Sequence, residues 1–145
     1  MATQYESARL ILELYNLRRE ATMREARNFW FAFNPETVED LMAGMAGPNG
    51  AHIRMVLSYW DMAASLVVNG AIDQKMFSDA NGEHVIVFGK IEALIPQWRE
   101  KMGSPNAWKN LETVALSGPD ARKNVDTIKA RIKGMLAARA EAAKV

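Results

Sequence analysis

The sequence predicts an all-α protein: a single-domain helical bundle over residues 1–145, with about six helices around a central apolar helix at about 51–69. Three observations carry that reading. Between breaks supplied by Gly, Pro and Asn, apolar residues recur at steps of three and four, and few stretches alternate. The composition, 49% apolar against 24% charged with four Trp, five Phe and three Tyr, is that of a chain that folds, and a domain of this size removes roughly 70% of its extended surface from water. The third observation is residues 51–69 themselves, apolar around almost the whole helical circumference.

The first helix is expected from about Thr3 to near Phe33. Its polar line Arg9, Glu13, Asn16, Glu20, Arg24 and Arg27 leaves Leu10, Leu14, Leu17 and Ala21, with Ile11, Leu12 and Tyr15, on the packing sides. A short second helix follows, with Asn34 as its N-cap, Pro35 at its first position and Glu36 in its first turn; it ends near "AGMAGPNG". The central helix comes next and stops at Gly70, a residue suited to the left-handed conformation of a C-terminal cap.

Asp73 can cap a short segment through about Ser78. In "HVIVFGKIEALIPQWREKMG", residues 85–88 alone could form a strand. The spacing of Phe88, Ile91, Leu94 or Ile95, Trp98 and Met102 predicts a helix instead, kinked at Pro96 and ended by Gly103. Ser104 and Pro105 read as cap and first position of a helix carrying Trp108, Leu111, Val114 and Ala115. After "SGPD", the last helix presents one apolar stripe, Ala121, Val125, Ile128, Ile132 and Met135 running on to Arg139, and should be an outer helix.

Within the central helix, Arg54, Ser58, Asp61 and Ser65 form one narrow polar stripe that continues to Asn69. Either this stripe faces water, or it faces another helix, such as the first with its Arg18, Arg24 or Arg27, and Asp61 must find a cation or hydroxyl partner there, because an isolated buried carboxylate would cost several kcal/mol. The run Phe29, Trp30, Phe31, Phe33 points around a full helical circumference, so it either plugs into the core or meets a second subunit.

Eighteen basic and seventeen acidic side chains give a formal charge of +1, so no global field draws nucleic acid or anionic lipid. The balance is uneven: Pro119 to Val145 holds seven bases against three acids, +4, and the remainder sums to −3. Arg122, Lys129 and Lys133 share a side of the last helix, but without stacking aromatics beside them nucleic-acid binding is not expected. Cysteine is absent, which removes thiol catalysis and disulfides. The two histidines, His52 and His84, stand in no recognised metal spacing. The acids Glu6 and Glu13 interrupt what would be the apolar core of a secretion signal, and the longest apolar run, 29–33, is too short to span a membrane. A soluble, cytoplasmic protein is expected.

"YWDMAASLVVNGAID", "FGKIEALIPQWREKM" and "AWKNLETVA" resemble a bacterial helical family known only as a domain of unknown function, the 4760-like type. The resemblance runs through Trp60 and Asp61, Gly70 to Asp73, Phe88, Pro96, Arg99, and Leu111 with Glu112, where leucine replaces the expected aromatic. It covers roughly Tyr5 to Leu116. It implies a helical domain and names no activity, substrate or cofactor; some relatives carry the domain attached to a membrane helix.

No catalytic residue, metal ligand or cofactor is assigned. The expected role is a non-enzymatic protein-interaction or self-association module whose partner, another protein or a second copy, meets the aromatic cluster Phe29, Trp30, Phe31 and Phe33. The alternative is a small-molecule-binding bundle or an enzyme, with a pocket beside the Arg54/Asp61 stripe lined by Trp60 and methionines.

Overall fold

A computed structural model describes residues 1–144. Its elements in chain order are α1 (Gln4–Arg19), α2 (Ala21–Ala32), α3 (Val38–Ala46), α4 (Gly50–Val68), α5 (Gln74–Ala80), α6 (Glu83–Ile91), a 3-10 turn (Glu92–Leu94), α7 (Ile95–Met102), α8 (Lys109–Ala115) and α9 (Ala121–Ala142). The described residues are all-helical, without a strand, as the three-and-four spacing predicts.

The central helix is where the sequence placed it. On α4, the residues Ile53, Val56, Leu57, Tyr59, Trp60, Ala63, Ala64 and Val67 are buried. It packs chiefly against α2 and α8, and also against α3 and α6. Gly70 adopts φ +78°, and the two following amides, of Ala71 and Ile72, both return to the Leu66 carbonyl at 2.8 and 3.2 Å. Only glycine takes that left-handed turn at no steric cost. Asp73 caps α5 by accepting from the Met76 amide at 2.9 Å. The start of the chain is tied to the same corner: the buried Ser7 hydroxyl accepts from the Asp73 amide at 2.9 Å.

Four local expectations are corrected. The single first helix is two. Glu20 is extended (φ −60°, ψ 142°), and its carboxylate caps α2 by accepting from the Met23 amide at 3.0 Å. Of the residues assigned to the packing sides of that helix, Leu14 is buried and Leu10 and Ile11 pack against the core, whereas Leu12, Tyr15 and Leu17 are exposed.

The cap of α3 is Thr37, not Asn34. Thr37 and Asp40 form a reciprocal capping box, the Asp40 amide donating to Thr37 Oγ1 and the Asp40 carboxylate accepting from the Thr37 amide, each at 3.1 Å. Two donors satisfied at once outweigh a proline that only presets φ.

Pro96 does not kink one long helix. A 3-10 turn separates α6 from α7, and Pro96 sits in the first turn of α7, where its missing N–H would have lacked an intrahelical acceptor anyway. Finally, Ser104 and Pro105 start no helix. The chain turns through 104–107, and α8 begins after Trp108, which is held left-handed at φ +53°.

α9 lies on the outside, as its single stripe predicts; only Ala121 and Val125 are buried. It packs chiefly on α6. Gly89 faces this helix: a Cβ there would stand in ordinary van der Waals contact, 3.4 Å from Ile128 Cγ2 and 3.6 Å from Lys129 Cγ, which leaves no room for a longer side chain. Glu92 clamps the same helix. Its carboxylate takes Arg122 at 2.6 and 2.7 Å and Lys129 at 2.7 Å, and the Arg122 bonds above all hold the carboxyl well down, at about 2.

Candidate functional site

The polar stripe of α4 stays on one face, but its members converge on no common point. Arg54 Nη1 donates to the Met45 carbonyl at 3.1 Å, satisfying one of the orphan acceptors at the end of α3. Ser58 and Ser65 turn back on their own helix, to the carbonyls of Met55 and Met62.

Asp61 meets neither water alone nor an arginine. Its Oδ1 accepts from the Leu111 amide at 2.9 Å, and its Oδ2 from Asn110 Nδ2 at 3.4 Å. These are the first-turn amide and side chain of α8, whose cap residue, the left-handed Trp108, supplies no side-chain bond. The acid beside Trp60 thus supplies the capping bond that Trp108 does not, to an amide fifty residues away, and its negative charge faces the positive end of that helix. Trp60 points elsewhere, wholly buried, with Nε1 donating to Glu83 Oε1 at 3.2 Å.

The other residues that carry the family resemblance also do structural work. Arg99 donates twice to the Ala107 carbonyl, at 3.0 and 2.8 Å, and approaches Glu112 at 3.5 Å, which fixes the turn before α8. Phe88 and Leu111 are core residues.

The aromatic run divides. Trp30 is wholly buried, and Phe29 and Phe33 stack with centroids 5.7 Å apart at 19° and pack on the core. Phe31 alone is turned outward, 44% exposed. It opens onto a groove of about 170 Å³ between the end of α2, α6 and the outer half of α9. The apolar walls are Phe31, Ile86, Ile128, Ile132, Met135 and Leu136, and Met135 is 50% exposed.

Three cations, Lys90, Arg131 and Arg139, are the charged members of that lining, and no carboxylate is among them. Lys90 is the inner one. Its Nζ sits 4.9 Å from the centre of the Trp30 ring and donates to the Trp30 carbonyl at 2.5 Å. Burial, helped by the nearby Arg139, pushes its ammonium down to about 8. Among the described residues no anion stands beside this partly desolvated cation, and such a site favours a negative group. Sequence reasoning singled out Phe31 as an oddity of the aromatic run. It did not find Lys90 or Ile86, which belong to the segment read for its helical spacing alone.

Elsewhere, His84 is buried between Phe77 and Trp60, with ring centroids 5.0 and 5.8 Å away, and its Nδ1 has no hydrogen-bond partner. That burial drives its imidazole down to about 4. His52 stands beside Phe29, with ring centroids 6.0 Å apart. Among the described residues no three or more His, Asp or Glu side chains are placed to hold a metal ion. No described helix is long and apolar enough to cross a membrane. Of the three bases that share a side of the last helix, Arg122, Lys129 and Lys133, the first two are taken up by Glu92.

A family model described as a domain of unknown function (DUF4760) matches residues 4–117. No curated protein and no solved structure matches the chain. The matched span ends before α9, so the groove is made jointly by the family domain and a helix that lies beyond the matched residues.

Proposed function

We propose that this chain, which belongs to the family described as domain of unknown function DUF4760, is a protein-interaction module that receives an acidic amphipathic helix in the groove between α9 and the α2–α6 face. The observation that carries the reading is the lining itself: six apolar side chains with three cations and no acid. A helix laid in a groove presents apolar residues at steps of three and four, and its flanking charges select the partner. The segment Pro119–Val145 bears seven bases against three acids, so two copies meeting through α9 would repel, whereas an acidic helix is attracted. Phe31 and Met135 are the exposed anchors, and large side chains on the shallow walls are what such interfaces bury.

The test is fluorescence anisotropy with a labelled amphipathic peptide carrying Glu on its polar face, against the same peptide with Lys in place of Glu. The acidic peptide should bind at least about tenfold tighter, corresponding to ~1.4 kcal/mol, and lose affinity as salt rises. Phe31→Glu or Met135→Glu should abolish binding while shifting stability by no more than about 0.5 kcal/mol, because both side chains are already half in water. Equal binding of the two peptides contradicts the proposal. So does a homodimer, seen by light scattering, that Met135→Glu dissolves, since a second copy would then occupy the groove.

A further inference from the structure

A second cationic surface lies at the junction of α1 and α2 and shares no residue with the groove. Tyr15, Arg18, Arg19, Arg24 and Arg27 wall one depression of about 450 Å³, with no carboxylate in its lining. Two of the four guanidiniums are fixed from below. Arg27 is bonded through two nitrogens to Glu83 at 2.6–3.1 Å, and that bond holds its guanidinium proton more tightly than usual. Arg18 donates to Asn81 Oδ1 at 3.0 Å and lies over the faces of Trp60 and Tyr15, at 5.1 and 5.7 Å. Arg19 stacks on the same Tyr15 ring at 5.6 Å. Arg19 and Arg24 are exposed and form the outer pair.

Helix electrostatics explains only half of this cluster. Arg18 and Arg19 occupy the last turn of α1, where cations complement the negative helix end. Arg24 does not fit that account. It stands one turn inside the N-terminus of α2, an end that favours negative charge and is capped by the Glu20 carboxylate, so the helix itself gives this cation no support. The break at Glu20 folds the two helices so that these like charges share one basin, and the Glu20 carboxylate is turned to the Met23 amide. Repulsion of this kind persists where a counter-anion is expected.

We infer that this basin binds a ligand bearing two linked phosphates. Of four guanidiniums, Glu83 neutralises one and leaves three positive charges. One phosphate group carries about −1.5 to −2 at neutral pH, so two linked groups, at about −3, balance the basin where one does not. Planar guanidiniums present paired donors that match phosphate oxygens, which is the recognition lysines perform poorly. The fixed pair supplies preorganised donors at the floor, and Arg19 and Arg24 close over the anion from the rim.

Isothermal titration calorimetry of the whole chain with sodium pyrophosphate, orthophosphate and ADP, at ionic strength matched with sodium chloride, tests this directly. Pyrophosphate should bind saturably and at least about tenfold tighter than orthophosphate. The variant Arg19→Ala/Arg24→Ala should lose at least about tenfold in affinity with an unchanged melting temperature, because both side chains are exposed. ADP binding tighter than pyrophosphate assigns a nucleoside source to the diphosphate, and ADP binding more weakly assigns the free anion. Heats no larger than those of chloride for both pyrophosphate and ADP, pyrophosphate binding no tighter than orthophosphate, or full affinity in the double variant overturns the inference.

Discussion

Replacing Asp61 tests the central packing logic at one atom. Asp61→Ala removes the acceptor for the Leu111 amide at 2.9 Å and for Asn110 at 3.4 Å. The cap residue of α8, Trp108, is left-handed, and its indole has no acceptor with which to take over. Losing an N-cap costs about 0.5–2 kcal/mol. The bond here is to a charged acceptor and half-buried, which places the loss at the upper end, at about 2 kcal/mol. For a chain of this length each kcal/mol moves the melting temperature by about 2–4 °C, so Asp61→Ala should melt about 4–8 °C lower. Asp61→Asn keeps an acceptor and loses only the charge facing the helix end, about 0.5–1 kcal/mol, and should fall between the variant and the native chain. Thermal unfolding by circular dichroism, with denaturant titration to confirm an unchanged m-value, reads both. If both variants stay within about 0.5 kcal/mol of the native protein, the stripe is a solvated face and the capping account is wrong.

Two further outcomes follow from buried groups. His84 is held neutral down to about pH 4 by burial, against an ordinary value of 6.5. Between those values the unfolded chain binds a proton that the folded chain refuses, so stability falls as pH drops through that window. His84→Phe should flatten the pH 4–6.5 slope in denaturant midpoints; the Glu92 clamp, whose carboxyl titrates at about 2 against 4.5, adds its own loss at lower pH in both proteins. Gly89→Leu should push α9 off α6, since a Cβ there is already in van der Waals contact with Ile128 at 3.4 Å and the three further carbons of leucine must displace it. The expected cost is about 1–3 kcal/mol, seen as faster proteolysis within 121–142 and loss of acidic-peptide binding in the groove, with α4 still folded.

What the sequence made legible is what local chemistry decides. The helical period of 51–69, the glycine at 70 and the acid at 73 are set by local chain chemistry and stand as read, although Met62 and Val68 of that helix are exposed rather than enclosed. The break at Glu20 was hidden because glutamate favours helix interiors as readily as it caps, and only the fold chooses between them. At 34–37 two start signals competed. Thr37 with Asp40 was present as a capping pattern, and it prevailed by pairing two donors. The partner of Asp61 could not be read at all, for it is a backbone amide on another helix. The same holds for the groove: Phe31 announced itself as one aromatic too many, but its floor at Lys90 and far wall at Met135 come from segments sixty and one hundred residues away.

Native-state hydrogen exchange followed residue by residue measures the hierarchy on which all of this rests. The amides of α4 from Ile53 to Val67 should exchange only through global unfolding, at the full stability of the protein, with α2 and α8 close behind. Protection along α9 should fall steadily beyond Ile132, where most of its residues are exposed and only the groove lies between it and α6. Uniform protection across α4 and α9 would contradict the account, and so would an α4 that opens at lower free energy than the helices around it.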